Sequence, residues 1–262
     1  MKLPHDIHLH THLSLCAKPE ADVRAYVEYA KAQGITTIGI SDHFWDENVP
    51  GSPDWYKPQN YEHILEAKED IKRCEGEGVR ILFGAETEYS LGTRGVAITP
   101  EIASQLDILL VPNSHTHITM PKECYEDHRR PSEYMLDAYW DIIESDVRPY
   151  ITAIAPPFSA VCCPYDKEKC VRLITDKEFC DCFRKTAEKN IGIEINTSEF
   201  INKGIADIEK SQFLRMFRLA RACGCKFTFG TDSHHPSDTV WLYKAYIICS
   251  LLGIGEEDIK NI

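Results

Sequence analysis

Seven short apolar runs, rich in β-branched and aromatic residues, recur along the chain with helical patterns between them, and this alternation restricts the fold more than any other feature. The runs fall at 4–10, 35–41 (ITTIGIS), 79–87 (VRILFGAET), 107–112 (DILLVP), 150–155 (YITAIA), 191–196 (IGIEIN) and 226–230 (KFTFG). Each has strand length and strand composition. Helical periodicity appears at 20–33, 60–75, 131–145, 176–189, 207–222 and 237–253. In the first of these, Val23, Tyr26, Val27 and Ala30 form one apolar stripe, and Gly34 follows as a helix terminator. Parallel neighbours need long crossovers, so the pattern implies an α/β protein whose parallel sheet is covered by helices, either closed into a barrel or open and doubly wound. At 262 residues, length alone leaves one large domain and two smaller ones both open.

Composition narrows the function classes. A hydrophobic fraction of 43% with 27% charged residues is that of an ordinary globular chain. A formal net charge of −12 argues against a polymeric nucleic acid as partner, because such binding rests on many Lys and Arg contacts to phosphates. No run approaches the roughly 20 apolar residues that span a bilayer, and the start, MKLPHDIHLH, lacks the apolar core of a signal peptide. A cytoplasmic location away from membranes is therefore expected. The eleven cysteines show no disulfide-framework spacing and are expected as thiols. Cys180/Cys182 and Cys223/Cys225 are CxC pairs, and Cys162-Cys163 stands eight residues before Cys170; none has the spacing of a structural zinc site.

The chemistry gathers at the ends of the strands. His8 and His10 alternate on the first strand, so both point the same way. Asp42-His43 follows the second strand, Glu86 lies in the third, His115 and His117 follow the fourth, and Asp232-Ser233-His234-His235 follows the seventh. With His12, these exits hold eight of the chain's eleven histidines: His8, His10, His12, His43, His115, His117, His234 and His235. Barrels and open doubly wound sheets both place functional groups at the C-terminal ends of their strands. The clustering points to a metal centre. Imidazole mixed with carboxylate favours Zn, Mn or Fe over Mg.

The set DIHLHTH, SDH at 41–43, GAETE at 84–88, SH at 114–115 and GTDSH at 230–234 resembles the polymerase-and-histidinol-phosphatase (PHP) superfamily, in order and over essentially the whole chain. The resemblance implies a distorted seven-stranded β/α barrel and one domain over 1–262. It also implies one to three divalent metals that hydrolyse phosphate esters. The histidinol-phosphatase-like branch is nearest in size. Carried over residue by residue, His8, His10, Glu86 and Asp232 match a first metal site. Glu86 would bridge to a second, with His115 as a ligand there, and His43 and His234 would hold a third. Two departures stand out: Pro156 occupies a position where the family has a metal-binding His, and Cys16 one where it often has Asp or His.

His12, His117 and His235 are read as neighbours of the ligands or as surface residues, Asp42 as a group orienting His43, and Glu194 as a buried supporting carboxylate. Cys16 reads as either a thiolate ligand or a small buried hydrophobe. Two cations sharing a carboxylate can lower the pKa of a water between them, so no protein nucleophile is required. The chain shows neither GxSxG nor GxxxxGK[ST]. Arg129, with Arg130 beside it, is a candidate phosphate contact, and Arg94 competes for the role. The aromatic segment 44–61 either stacks a substrate ring or packs on the barrel, and 159–174 is long enough to shape a pocket. The expected activity is metal-dependent hydrolysis of a small phosphomonoester. A phosphodiesterase or nuclease acting on short nucleotides and a non-catalytic metal-binding domain are the alternatives.

Overall fold

The structure is a computed structural model that describes residues 3–127, 129–161, 163 and 165–262, so Cys162 of the Cys162-Cys163 pair lies outside the described residues. Seven parallel strands form a nearly closed barrel: β1 (His5–Leu9), β2 (Thr37–Ile40), β3 (Arg80–Thr87), β4 (Ile108–Val111), β5 (Ala153–Ile154), β6 (Gly192–Asn196) and β7 (Lys226–Gly230). Each pairs with the next in register, from His5 opposite Thr37 through Leu110 opposite Ala153 to Gly192 opposite Lys226. The closed reading of the alternation is therefore correct. Ile7, Leu82, Ile108, Leu110, Ala153 and Ala155 fill the barrel as a separate apolar cluster. Gly39 and Gly84 are required there, since a Cβ on Gly39 would lie 2.8 Å from the Ile7 carbonyl oxygen and one on Gly84 would overlap Ile108.

The seam between β7 and β1 is closed differently. Among the described residues one bridge, Leu9 to Ser233, joins them, and side chains of β1 take up donors of β7 and the residue beyond it. The Phe229 N–H donates to His5 Nε2 (3.2 Å), and the Thr231 N–H and hydroxyl donate to the two Asp6 carboxylate oxygens (3.0 and 2.8 Å). These polar groups are buried, so leaving them unpaired would cost about 1–3 kcal/mol each.

Six longer helices cover the barrel: α1 (Val23–Gln33), α2 (Tyr61–Arg73), α3 (Arg129–Glu144), α4 (Asp176–Glu188), α5 (Gln212–Ala222) and α6 (Tyr243–Leu252). The predicted stripe of α1 is buried at Val23, Tyr26, Val27 and Ala30, and Gly34 caps the helix at φ 67°. The helix expected over 207–222 is broken at Ser211, whose extended backbone and side chain cap the N-terminus of α5 through the Phe213 N–H (3.2 Å). The pattern at 237–253 begins as a 3-10 turn after Pro236, and α6 starts only at Tyr243. Between β3 and β4 the crossover is a small hairpin (Tyr89–Ser90 with Gly95–Val96) and a single helical turn, Pro100–Ala103. Among the described residues no helix is long and apolar enough to cross a membrane.

Candidate metal centre

The period-two geometry of β1 turns the His8 and His10 rings to one side, 5.0 Å apart and both fully buried. Glu86 of β3 and Asp232, just past β7, meet them at the C-terminal mouth. His8 Nε2 lies 3.5 Å from Glu86 Oε1 and 3.6 Å from Asp232 Oδ1, and His10 Nε2 lies 3.6 Å from Glu86 Oε2 and 3.4 Å from the same Asp232 oxygen. The two Nε2 atoms and both Glu86 oxygens are buried without a hydrogen-bond partner. Four donor atoms orphaned together in one place would be costly unless something joins them. Ligand bonds of about 2.0–2.1 Å around a tetrahedral cation put neighbouring donors roughly 3.4 Å apart, the spacing seen here. The residues present therefore fit a divalent metal.

Backbone geometry is adapted to this convergence. Asp232 adopts φ 55°, in the left-handed region that non-glycine residues rarely occupy. β7 ends on Gly230 because a Cβ there would stand 2.5 Å from the His8 Cβ and overlap the Glu194 carboxylate.

Three of the candidate histidines have their other nitrogen held. His8 Nδ1 donates to Glu194 Oε1 (2.9 Å), and Asn196 Nδ2 supports that carboxylate from its other oxygen (3.0 Å). His115 Nδ1 donates to Glu88 Oε1 (2.6 Å), which also accepts from the Tyr56 hydroxyl. Around His10 the proton can be placed by bookkeeping. Asp42 accepts the Ser14 hydroxyl proton (2.7 Å), so Ser14 Oγ is free to accept from the His43 N–H (3.0 Å) and from His10 Nδ1 (3.1 Å). With the proton on Nδ1, His10 Nε2 presents a lone pair to the centre.

The charges agree. Burial would depress His8, but Glu194, Glu86 and Asp232 outweigh it and raise its pKa well above the ordinary histidine value. Burial, with His234 and His43 alongside, pushes His10 well below it. Burial opposes ionisation of Glu86 and Asp232, yet the surrounding imidazoles hold both well below the usual carboxylate range. A cation arriving here would compete with protons on His8 and meet carboxylates that are already ionised.

The remaining predicted residues sort by distance. His43 Nδ1 lies 3.0 Å from Glu86 Oε2, and the His10, His43 and His234 rings cluster, with centroids 4.3 Å apart for the first two and 4.2 Å for His10 and His234. Among the described residues two sets of three donors fall close enough for one ion: His8, His10 and Asp232, and His10, His43 and His234. His115 Nε2 is 3.7 Å from Glu86 Oε1 but belongs to neither set. Beside it, Pro156 contributes a carbonyl, which accepts from the Ser114 hydroxyl (2.7 Å), and no side-chain donor. Cys16 is exposed and belongs to neither set.

Arg129 points elsewhere: its guanidinium is taken up by Glu133 (3.1 Å), Glu178 (2.6 Å) and the Leu173 carbonyl. Arg94 pairs with Asp141. His12 and His117 are exposed, and His235 caps the Pro236–Leu242 turn through the Ser237 N–H (3.1 Å). Asp42 acts on His10 through Ser14 rather than on His43 directly. The 44–61 segment packs on the barrel through Trp45 and Tyr56, leaving Trp55 partly exposed with its edge toward His43. Glu88, Tyr56 and Ser14 escaped the sequence reading. For Glu88 a signal existed, since Glu86 and Glu88 stand two residues apart at the end of a strand as His8 and His10 do.

Fold and rim together define a class: a parallel β/α barrel whose strand ends gather imidazole and carboxylate donors for divalent cations. The chain belongs to the PHP domain family, whose pattern matches residues 6–198. Among solved structures it is similar to histidinol phosphate phosphatase from Lactococcus lactis subsp. lactis Il1403, complexed with zinc, L-histidinol and phosphate. The two share 20% identity and a TM-score of 0.70 over 96% of this chain and 94% of that one. A Listeria monocytogenes protein assigned as a histidinol phosphatase matches with 14% identity and a TM-score of 0.70 over 92% and 99%. At such identities the likeness establishes the fold. No curated protein matches the chain.

Proposed function

We propose that the chain is a metal-dependent phosphomonoesterase acting on a small soluble phosphate ester, with histidinol phosphate the first substrate to try. The observation that carries this reading is the convergence of the unpartnered His8, His10 and Glu86 atoms with Asp232 at the barrel mouth. When bound, Zn, Mn or Fe there would lower the pKa of a water and neutralise charge on phosphoryl oxygens. The chain's own part is to fix the donors. Glu194, Ser14 and Glu88 hold three imidazoles in one tautomer, and Glu86 turns one oxygen toward His8 and His115 and the other toward His10 and His43. His234 and Asp232 keep partial exposure, 29% and 20% of their side chains, and so border the substrate space. Arg129 has no part in this proposal, because its donors are engaged. The net charge of −12 continues to favour a small ester over a nucleic acid polymer.

The test is hydrolysis of a panel of phosphomonoesters and diesters, histidinol phosphate included, before and after chelation and with Zn or Mn restored. Chelator-sensitive turnover of a monoester that is lost in Asp232→Ala and in His10→Ala, with the fold retained by circular dichroism, is expected. Turnover confined to diesters would move the assignment to a phosphodiesterase. Full activity in either variant, or silence across the panel with metal bound, would overturn the proposal.

A further inference from the structure

Nine large apolar side chains stand exposed among the described residues, and most need no explanation, because single exposed hydrophobics are normal on a protein surface. Trp55 differs in its position. Among the described residues it is the one of the nine whose ring touches the candidate metal centre: its centroid lies 5.2 Å from that of His43, at an interplanar angle of 69°. His43 in turn lies 3.0 Å from Glu86 and packs beside His10. Trp55 is 37% exposed, whereas Trp45 and Tyr56 of the same segment are 2% and 1% exposed and form an apolar cluster with Ala97. Packing on the barrel therefore accounts for Trp45 and Tyr56 and not for Trp55.

The segment holds this ring in place before anything binds. Gln59 is fully buried; its Nε2 donates to the Trp55 carbonyl (3.1 Å), its Oε1 accepts from the Leu15 N–H (3.1 Å), and its backbone carbonyl accepts from the Trp45 N–H (3.1 Å). One buried amide thus ties the backbone of Trp55 to that of Leu15, an exposed side chain that follows the Ser14 holding His43. Tyr56 meets the indole at 4.7 Å and 88° while its hydroxyl donates to Glu88. Both ring contacts of Trp55 are steeply tilted, so among the described residues no parallel ring covers the indole. A fixed, open aromatic surface loses little entropy when another ring stacks on it.

We propose that Trp55, with Leu15 beside it, is the specificity-determining wall of the site and receives the leaving group of the ester as a planar ring. The inference rests on the phosphomonoesterase reading above and adds to it a substrate class: esters of alcohols that carry an aromatic or heteroaromatic ring close to the ester oxygen. His43 leads from the centre directly to Trp55, so a leaving group on that side of the mouth meets the indole first. Stacking on an indole rewards flatness, whereas apolar burial alone rewards area. A flat ring and a puckered ring of the same size are therefore told apart by this wall.

The experiment compares benzyl phosphate with cyclohexylmethyl phosphate on the zinc-loaded full chain, since the two leaving groups are close in size and basicity and differ in the flatness of the ring. The benzyl ester should have the higher kcat/KM, with the difference residing in KM. Trp55→Ala should shrink that ratio about tenfold, and Trp55→Phe should retain most of it. Trp140→Ala, which removes an exposed tryptophan from α3, should leave the ratio as it was. Calorimetry with the two corresponding phosphonates, which are not hydrolysed, should reproduce the ratio in Kd without turnover. Turnover with no preference for the benzyl ester, a preference that survives Trp55→Ala, or an equal loss on both esters overturns the wall and leaves the phosphomonoesterase standing. Silence on both esters and across the earlier panel, with the phosphonates still told apart through Trp55, overturns the phosphomonoesterase reading alone. Silence with no discrimination between the phosphonates overturns both.

Discussion

Removing one oxygen atom tests the proton bookkeeping around His10. Ser14 is buried, and its Oγ donates to Asp42 (2.7 Å) and accepts from the His43 N–H (3.0 Å) and His10 Nδ1 (3.1 Å). Ser14→Ala deletes all three bonds. Asp42 retains the Thr11 N–H and hydroxyl as donors, both at 2.7 Å, so its loss is small. The His43 N–H and His10 Nδ1 are left without their partner. At about 1 kcal/mol net per hydrogen bond, and more where a buried donor is orphaned, the fold should lose roughly 2–3 kcal/mol. The more specific effect is on the tautomer. Without an acceptor at Nδ1, His10 has no reason to keep Nε2 unprotonated, and loss of such an orienting partner typically costs 10–100-fold in metal affinity, about 1.4–2.7 kcal/mol. Competition for zinc against a chelating dye measures the affinity, and urea denaturation of the chelated protein measures the stability separately. An unchanged zinc affinity, with the stability loss present, would refute the tautomer argument.

Three further outcomes follow from other contacts. Gly230→Ala should destabilise the chain by about 1–3 kcal/mol and lower metal affinity, because the new Cβ meets His8 and Glu194, whereas Gly224→Ala, at φ 85° in open space, should cost stability and leave metal affinity alone; paired melting and zinc titrations check both. Arg129→Ala should lower stability by about 1–3 kcal/mol and leave KM for a phosphate ester unchanged, as its guanidinium serves Glu133, Glu178 and Leu173; a KM rise with unchanged stability would restore it as a phosphate contact. Burial would raise the Glu178 carboxyl, but the Thr175 N–H and Arg129 overcome that and hold it at about 2, so its contribution is complete above the unfolded value of 4.5 and lost as pH falls through 2. The stability gap between the chain and Glu178→Gln should accordingly be wide at pH 7 and close toward pH 2 in denaturant titrations.

Much of this was legible in the residues because periodicity and position carry it. The apolar runs mark all seven strands, and the exits of those strands carry His8, His10, Glu86 and Asp232. The breaks were harder to see. Ser211 sits inside a helical apolar stripe, and its extended backbone, with its hydroxyl accepting from the Phe213 N–H and donating to Glu168 (2.6 Å), shows that it begins a new helix. Tyr56 lies 30 residues from Glu86 in a segment with no periodicity, and it joins the site because Trp45, Tyr56 and Ala97 pack together. Arg129 illustrates the opposite error: sequence proximity to His117 suggested a phosphate contact, but the start of α3 directs its side chain toward α4. Local pattern names donors well and partners poorly, since a partner is decided by packing between distant segments.

The seam between β1 and β7 would give a cation bound at this centre a mechanical role. Every other neighbouring pair in the barrel is laced by backbone ladder bonds, whereas this one relies on side chains and a single bridge. His8 and His10 stand on one lip of that seam and Asp232 on the other, so a metal bound between them acts as a rivet across the joint where the backbone contributes least. Loading it would stiffen the first and last strands against each other and tie the two ends of the barrel circuit into one cooperative unit. Stripping it would let the barrel breathe there first.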